Sequence, residues 1–204
     1  MAASRFYLLA GFVTGPPVKL LFRLHARGTE HLPREGGFVL SANHLSNFDP
    51  WALGLPLFPK RQIRFMAKSE LFRSPLWPIL KLAGAFRVRR GEGDAEAIAT
   101  AVQLARAGDV VSIFPEGTRR RKGLVKKHEA RPHTGAARVA LAAEVPLIPA
   151  GIAGTDRLSR LGPFRVAYGP AVELEDLRGR DEHEAAQIGT ERLMAAIGGL
   201  EAGL

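Results

Sequence analysis

From Gly28 onward, short apolar runs alternate with stretches of helical spacing, and that alternation predicts the fold. Phe38–Ala42 (FVLSA), residues 63–67, Ala85–Val88, residues 110–114, residues 146–152 and Arg165–Tyr168 have the length and apolar character of buried strands. Between them, residues 51–57, 75–82, 94–107, 134–143 and 181–197 read as helices. Asp49-Pro50 reads as an N-cap followed by proline at the first helical position. Gly108 closes the alanine-rich helix before it. No internal repeat interrupts this order. The expected architecture is α/β, with a central, mostly parallel β-sheet flanked by helices.

The first 27 residues follow a different pattern. The segment from Arg5 to Leu24 is apolar but broken by Gly11, Gly15, Pro16 and Pro17. A membrane-spanning helix needs about 20 uninterrupted apolar residues, which this stretch lacks. No small-residue cleavage site follows a clean apolar run, so a signal peptide is not expected. Two short amphipathic pieces, 6–13 and 18–24, are predicted, with Lys19, Arg23 and Arg27 nearby. They suit either a membrane interface or packing against the domain. The expected organisation is a short amphipathic segment over residues 1–27 and one domain over residues 28–204.

Composition narrows the chemistry. The 204-residue chain has 46% hydrophobic residues, enough for one α/β core. It has no cysteine, which excludes disulfides, thiolate metal sites and a cysteine acyl-enzyme. The formal charge of +9 implies an anionic partner. Aromatic residues make up 7% of the chain, and no nucleic-acid-binding signature is present, so no nucleic acid is expected. Phosphorylated small molecules and an anionic membrane surface remain.

Two clusters of residues could carry chemistry, each just after an apolar strand run. In Asn43-His44-Leu45-Ser46-Asn47-Phe48-Asp49, the aspartate can fix one imidazole nitrogen and leave the other to take a proton. The imidazole's usual pKa, about 6.5, suits that work at neutral pH. Taken alone, the pair reads as a loop histidine beside a helix cap. Strand-end placement makes a catalytic role feasible, because open α/β sheets keep their sites beyond the carboxyl ends of their strands. Ser46 lacks a nucleophile-elbow setting and is expected to support hydrogen bonding. One histidine and one aspartate do not define a metal site.

The second cluster is Phe114-Pro115-Glu116-Gly117-Thr118-Arg119. Gly117 allows close backbone approach to a ligand, and Arg119 can form a bidentate pair with phosphate. Glu116 can position a hydroxyl or pair with a neighbouring arginine. The flanking Arg120-Arg121-Lys122 and Lys126-Lys127 are expected to form a solvated basic loop.

In order and spacing, these motifs resemble those of the lysophosphatidic acid acyltransferases (1-acylglycerol-3-phosphate O-acyltransferases) of the glycerolipid acyltransferase superfamily. The likeness runs from Gly28 to about Gly169. It includes His44-x4-Asp49, Gly84-Ala85-Phe86-Arg87-Val88-Arg89-Arg90-Gly91, the Phe114–Arg119 motif and Val145-Pro146-Leu147-Ile148-Pro149. The resemblance implies that His44 and Asp49 are catalytic and that Arg90, Glu116, Gly117, Thr118 and Arg119 bind the acceptor, with Asn43 and Ser46 in support. It implies transfer of a fatty acyl group from acyl-CoA or acyl-carrier protein to a lysophospholipid hydroxyl, foremost 1-acylglycerol-3-phosphate. No metal or cofactor is implied. The implied location is the cytoplasmic face of the cell membrane, peripheral or monotopic. Two departures from the family pattern are Arg89, where members commonly carry an acidic residue, and His133-Thr134, where many carry a lysine.

Overall fold

The structure, a computed structural model, describes residues 4–68, 75, 77–88, 94–119, 121–122, 125–126 and 132–204. The chain opens with α1 (Arg5–Leu21) and β1 (His25–Arg27), and β2 (Phe38–Ala42) leads to α2 (Asp49–Gly54). There follow β3 (Ile63–Lys68), α3 (Trp77–Leu82), β4 (Ala85–Val88), α4 (Asp94–Arg106) and β5 (Val110–Ile113). A two-stranded hairpin, β6 (Arg121–Lys122) and β7 (Val125–Lys126), precedes α5 (Gly135–Ala143). The last elements are β8 (Leu147–Ala153), β9 (Arg165–Tyr168) and α6 (Glu182–Ala202).

Among the described residues, seven strands form one sheet in the order β1-β9-β8-β2-β5-β3-β4. Every neighbouring pair is parallel except β8 with β9. The predicted mostly parallel α/β sheet is therefore observed. β2 lies at its centre and is buried along its whole length, as a strand covered on both faces must be. Phe38, Leu40 and Ala42 point to the face packed by α2 and the C-terminal part of α1. Val39 points to the opposite face, packed by α4, α5 and α6. Each large apolar side chain so buried contributes about 1.5–3 kcal/mol.

The N-terminal segment departs from its sequence reading. In place of two short pieces, α1 is one 17-residue helix that runs through Pro16 and Pro17. Each interior proline removes a helix hydrogen bond, and both prolines lie on the exposed side. Docking compensates on the other side. A Cβ at Gly11 would fall 2.2 Å from the Phe58 ring, so a larger residue would have to displace that ring for the helix to lie this close. The main-chain N–H of Ser4 also donates to Gln62 Oε1 at 3.0 Å. No helix among the described residues is long and apolar enough to cross a membrane. The basic stretch after Arg119, expected to be loop, instead contains the β6–β7 hairpin.

Candidate active site

β2, β5 and β8 run parallel and side by side, so their C-terminal ends meet at one end of the sheet, at its centre. Side chains tie those ends together. Ser41 Oγ donates to the Ile113 carbonyl at 2.8 Å, joining β2 to β5. Asn43 joins β2 to β8: its Nδ2 donates to the Ile152 carbonyl at 2.9 Å, and its Oδ1 accepts from the Ile152 N–H at 2.7 Å. Both side chains are buried and satisfied, which fixes the point where the chain leaves the sheet. His44 is the next residue.

Asp49 is fully buried. An uncompensated buried carboxylate would be very costly, and this one is saturated with donors. Its Oδ2 lies 2.7 Å from His44 Nδ1 and accepts the N–H groups of Leu45 at 2.7 Å and Ser46 at 2.8 Å. Its Oδ1 accepts from Thr155 Oγ1 at 2.5 Å. The sequence reading of Asp49 as an N-cap is corrected here. Phe48 occupies the cap position, and Asp49 begins the helix while its carboxylate binds upstream amides and the imidazole. Ser46 Oγ accepts from the Phe48 N–H at 3.2 Å, bracing the same turn.

With Asp49 as acceptor, Nδ1 of His44 carries the proton and Nε2 carries the lone pair. Among the described residues, Nε2 has no hydrogen-bond partner. The imidazole is 18% exposed and stacks on Phe114, with ring centroids 4.2 Å apart. It is thus held on one face by Phe114 and along one edge by Asp49, with its remaining nitrogen open.

Phe114 also begins the second motif, so the loop after β5 adjoins His44. Gly117 adopts φ +63°, a left-handed conformation that glycine enters without strain. A Cβ there would lie 2.5 Å from His133 Cδ2, so the imidazole of His133 covers the turn. The His133 N–H donates to the Pro115 carbonyl at 2.8 Å, which anchors the strand-to-α5 connection onto this loop. Glu116, Thr118 and Arg119 are all half-buried around the turn. Thr118 Oγ1 lies 3.4 Å from the Arg119 carbonyl oxygen, a weak contact. Among the described residues, no carboxylate forms an ion pair with Arg119. Arg90 lies outside the described residues. Among those described, no group of three or more His, Asp or Glu side chains is placed to hold a metal ion.

Thr155 has no counterpart in the sequence reading. It is fully buried just beyond β8 and bonds Asp49 across 106 positions of chain. Its signal was a hydroxyl residue one turn past an apolar strand, visible as important only once β8 is known to lie beside β2.

An imidazole oriented by a buried carboxylate at the strand ends of an α/β sheet is the construction of an enzyme that uses a general base. The chain belongs to the Acyltransferase family, whose model matches residues 23–153. It is 32% identical over 176 residues to the 1-acyl-sn-glycerol-3-phosphate acyltransferase of Bacillus subtilis (strain 168), covering 84% of this chain and 85% of that one. It is 33% identical over 132 residues to a probable 1-acyl-sn-glycerol-3-phosphate acyltransferase of Mycoplasma pneumoniae, covering 62% of this chain and 47% of that longer protein. The crystal structure of the 1-acyl-sn-glycerophosphate (LPA) acyltransferase from Thermotoga maritima shares the fold. The TM-score is 0.61 at 22% identity, over 97% of this chain and 88% of that one.

Proposed function

We propose that this acyltransferase moves a fatty acyl group from a thioester, acyl-CoA or acyl-carrier protein, to the free hydroxyl of 1-acylglycerol-3-phosphate. The product would be phosphatidic acid, an intermediate of phospholipid biosynthesis. The observation that carries this reading is the open Nε2 of an Asp49-held His44 beside the Arg119 loop. Nε2 takes the hydroxyl proton as the oxygen attacks the thioester carbonyl. The tetrahedral intermediate collapses with cleavage of the carbon–sulfur bond, and His44 returns the proton to the leaving thiolate. Arg119, and Arg90 by family resemblance, hold the acceptor phosphate, while Gly117 keeps the loop backbone open to it. Orientation of the two substrates supplies much of the acceleration. The names of the Bacillus and Mycoplasma relatives support this choice of acceptor.

Residues 1–27 are read as an interfacial anchor on the cytoplasmic face of the cell membrane, where a lysophospholipid is met. Leu9, Phe12, Val13, Leu20 and Leu21 of α1 are 50–79% exposed, which supports this reading.

Arg119→Ala is expected to raise KM for lysophosphatidic acid about 10- to 100-fold, the loss of one charge-assisted phosphate contact. A neutral monoacylglycerol acceptor should be unaffected. Equal KM values for lysophosphatidic acid in the two proteins would remove Arg119 from this role. Thr155→Val should lower kcat about tenfold with KM unchanged, because Asp49 loses one anchoring hydrogen bond. Thr155→Ser should restore it, and a Thr155→Val enzyme of full turnover would show that Thr155 does not position the dyad.

A further inference from the structure

The loop between β8 and β9 starts at the Asp49-bonded Thr155 and ends against the C-terminus of α1. There, the Phe164 N–H donates to the Phe22 carbonyl at 2.8 Å, and the two phenyl rings stack with centroids 4.4 Å apart. Gly162 packs so tightly on Phe22 that a Cβ would lie 2.6 Å from the Phe22 carbonyl oxygen. The loop is thus fastened at both ends. Leu161, just before the Phe22 contact, combines two unfavourable features. It is 52% exposed, and it sits at φ +50°, a left-handed conformation that a leucine adopts only with strain. Glycine or asparagine would occupy this position at lower cost. Neither packing nor backbone geometry accounts for leucine here.

The surroundings account for it. Leu161 precedes the Gly162 that packs on Phe22, and Phe22 directly follows Leu20 and Leu21, which are 79% and 50% exposed. Lys19, Arg23, Arg157 and Arg160 are exposed on the same two elements, against one exposed carboxylate, Asp156. Phe48, 43% exposed, lies in the turn that carries His44 and Asp49. Apolar tips ringed by cations are the chemistry of insertion into an anionic lipid surface.

We propose that the loop of residues 156–162, with Leu161 as its inserted tip and Arg157 and Arg160 as headgroup contacts, is a second membrane-contact element. It acts with α1 on an anionic phospholipid bilayer. This rests on the peripheral-membrane reading above and specifies which surface meets the lipid. Two contacts fix orientation where one helix fixes only attachment. Because the loop is bonded to Asp49 through Thr155, the dyad end of the sheet is turned toward the bilayer that holds the acceptor.

The test is sedimentation of the full chain with vesicles of phosphatidylglycerol and phosphatidylcholine, and with phosphatidylcholine alone. Leu161→Asn relieves backbone strain, so its thermal midpoint should equal or exceed that of the wild type. Its binding to the anionic vesicles should nevertheless weaken about tenfold, as expected for loss of a partly buried leucine. The Arg157→Gln, Arg160→Gln double variant should weaken binding at least tenfold on anionic vesicles and little on neutral ones. Wild-type binding by Leu161→Asn, while Leu20→Gln binds weakly, would overturn the loop contact and leave α1 as the anchor. Absence of wild-type binding would overturn both readings.

Discussion

Replacement of His44 by alanine is expected to reduce kcat by about 10²–10⁴-fold, with the protein still folded and its unfolding temperature lowered by only a few degrees. A positioned general base contributes typically about 10²–10⁴ in rate. Among the described residues, no other imidazole is held against Asp49 to substitute for it. The fold should tolerate the change, because Asp49 keeps the Leu45 and Ser46 N–H groups and the Thr155 hydroxyl. What is lost is the Nδ1 hydrogen bond to Asp49 and the stack on Phe114, each worth about 1 kcal/mol. A folded His44→Ala protein with near-wild-type turnover would refute the mechanism. Comparison of kcat with the thermal midpoint in one preparation decides the matter.

Asp49→Asn is expected to combine a similar catalytic loss with a structural one. Amide nitrogen in place of Oδ2 would face three donors: Nδ1 of His44 and the N–H groups of Leu45 and Ser46. If the amide turns over, its nitrogen can donate to Thr155, but the remaining oxygen accepts more weakly than a carboxylate. The imidazole then loses its preference for the tautomer with Nε2 free, a change that costs about 10⁴-fold in a serine-protease triad. A stability loss of about 1–3 kcal/mol should accompany it, the expected consequence of imperfectly satisfied buried donors. Urea denaturation and steady-state kinetics measure the two separately. An Asp49→Asn enzyme with wild-type stability and kcat would mean that the carboxylate neither anchors the turn nor orients His44.

The two substitutions differ because the residues answer different physical demands. His44 is partly exposed and expendable to the fold, whereas Asp49 is the acceptor around which the turn after β2 is built. That double duty explains why a carboxylate at this position first resembles a helix cap. Both uses need an acceptor near backbone N–H groups at the mouth of a helix, and sequence does not say which N–H groups those are.

The central sheet was legible for a similar physical reason. Phe38–Ala42, Ala85–Val88 and Arg165–Tyr168 are strands with the limits the sequence predicts; β2 was the plainest of them, because a strand buried on both faces leaves little room for polar residues. The three exposed residues of β1 carry no such mark and acquire their strand pairing only from β9. In α1, the pair Pro16-Pro17 argued locally for a break, and tertiary docking through Gly11 overrode it. His44 and the Gly117–Arg119 turn were legible because each carries its chemistry in a short contiguous stretch. Thr155 and Leu161 were not, since one matters through a contact 106 positions away and the other through a backbone angle.

The most direct measurement follows free thiol release from an acyl thioester, acyl-CoA or acyl-carrier protein, with and without lysophosphatidic acid. The predicted result is thiol release that depends on the acceptor, matches phosphatidic acid formed one for one, and disappears in His44→Ala. Release at the same rate without acceptor, or no acceptor-dependent release from either donor by the folded protein, would contradict the account.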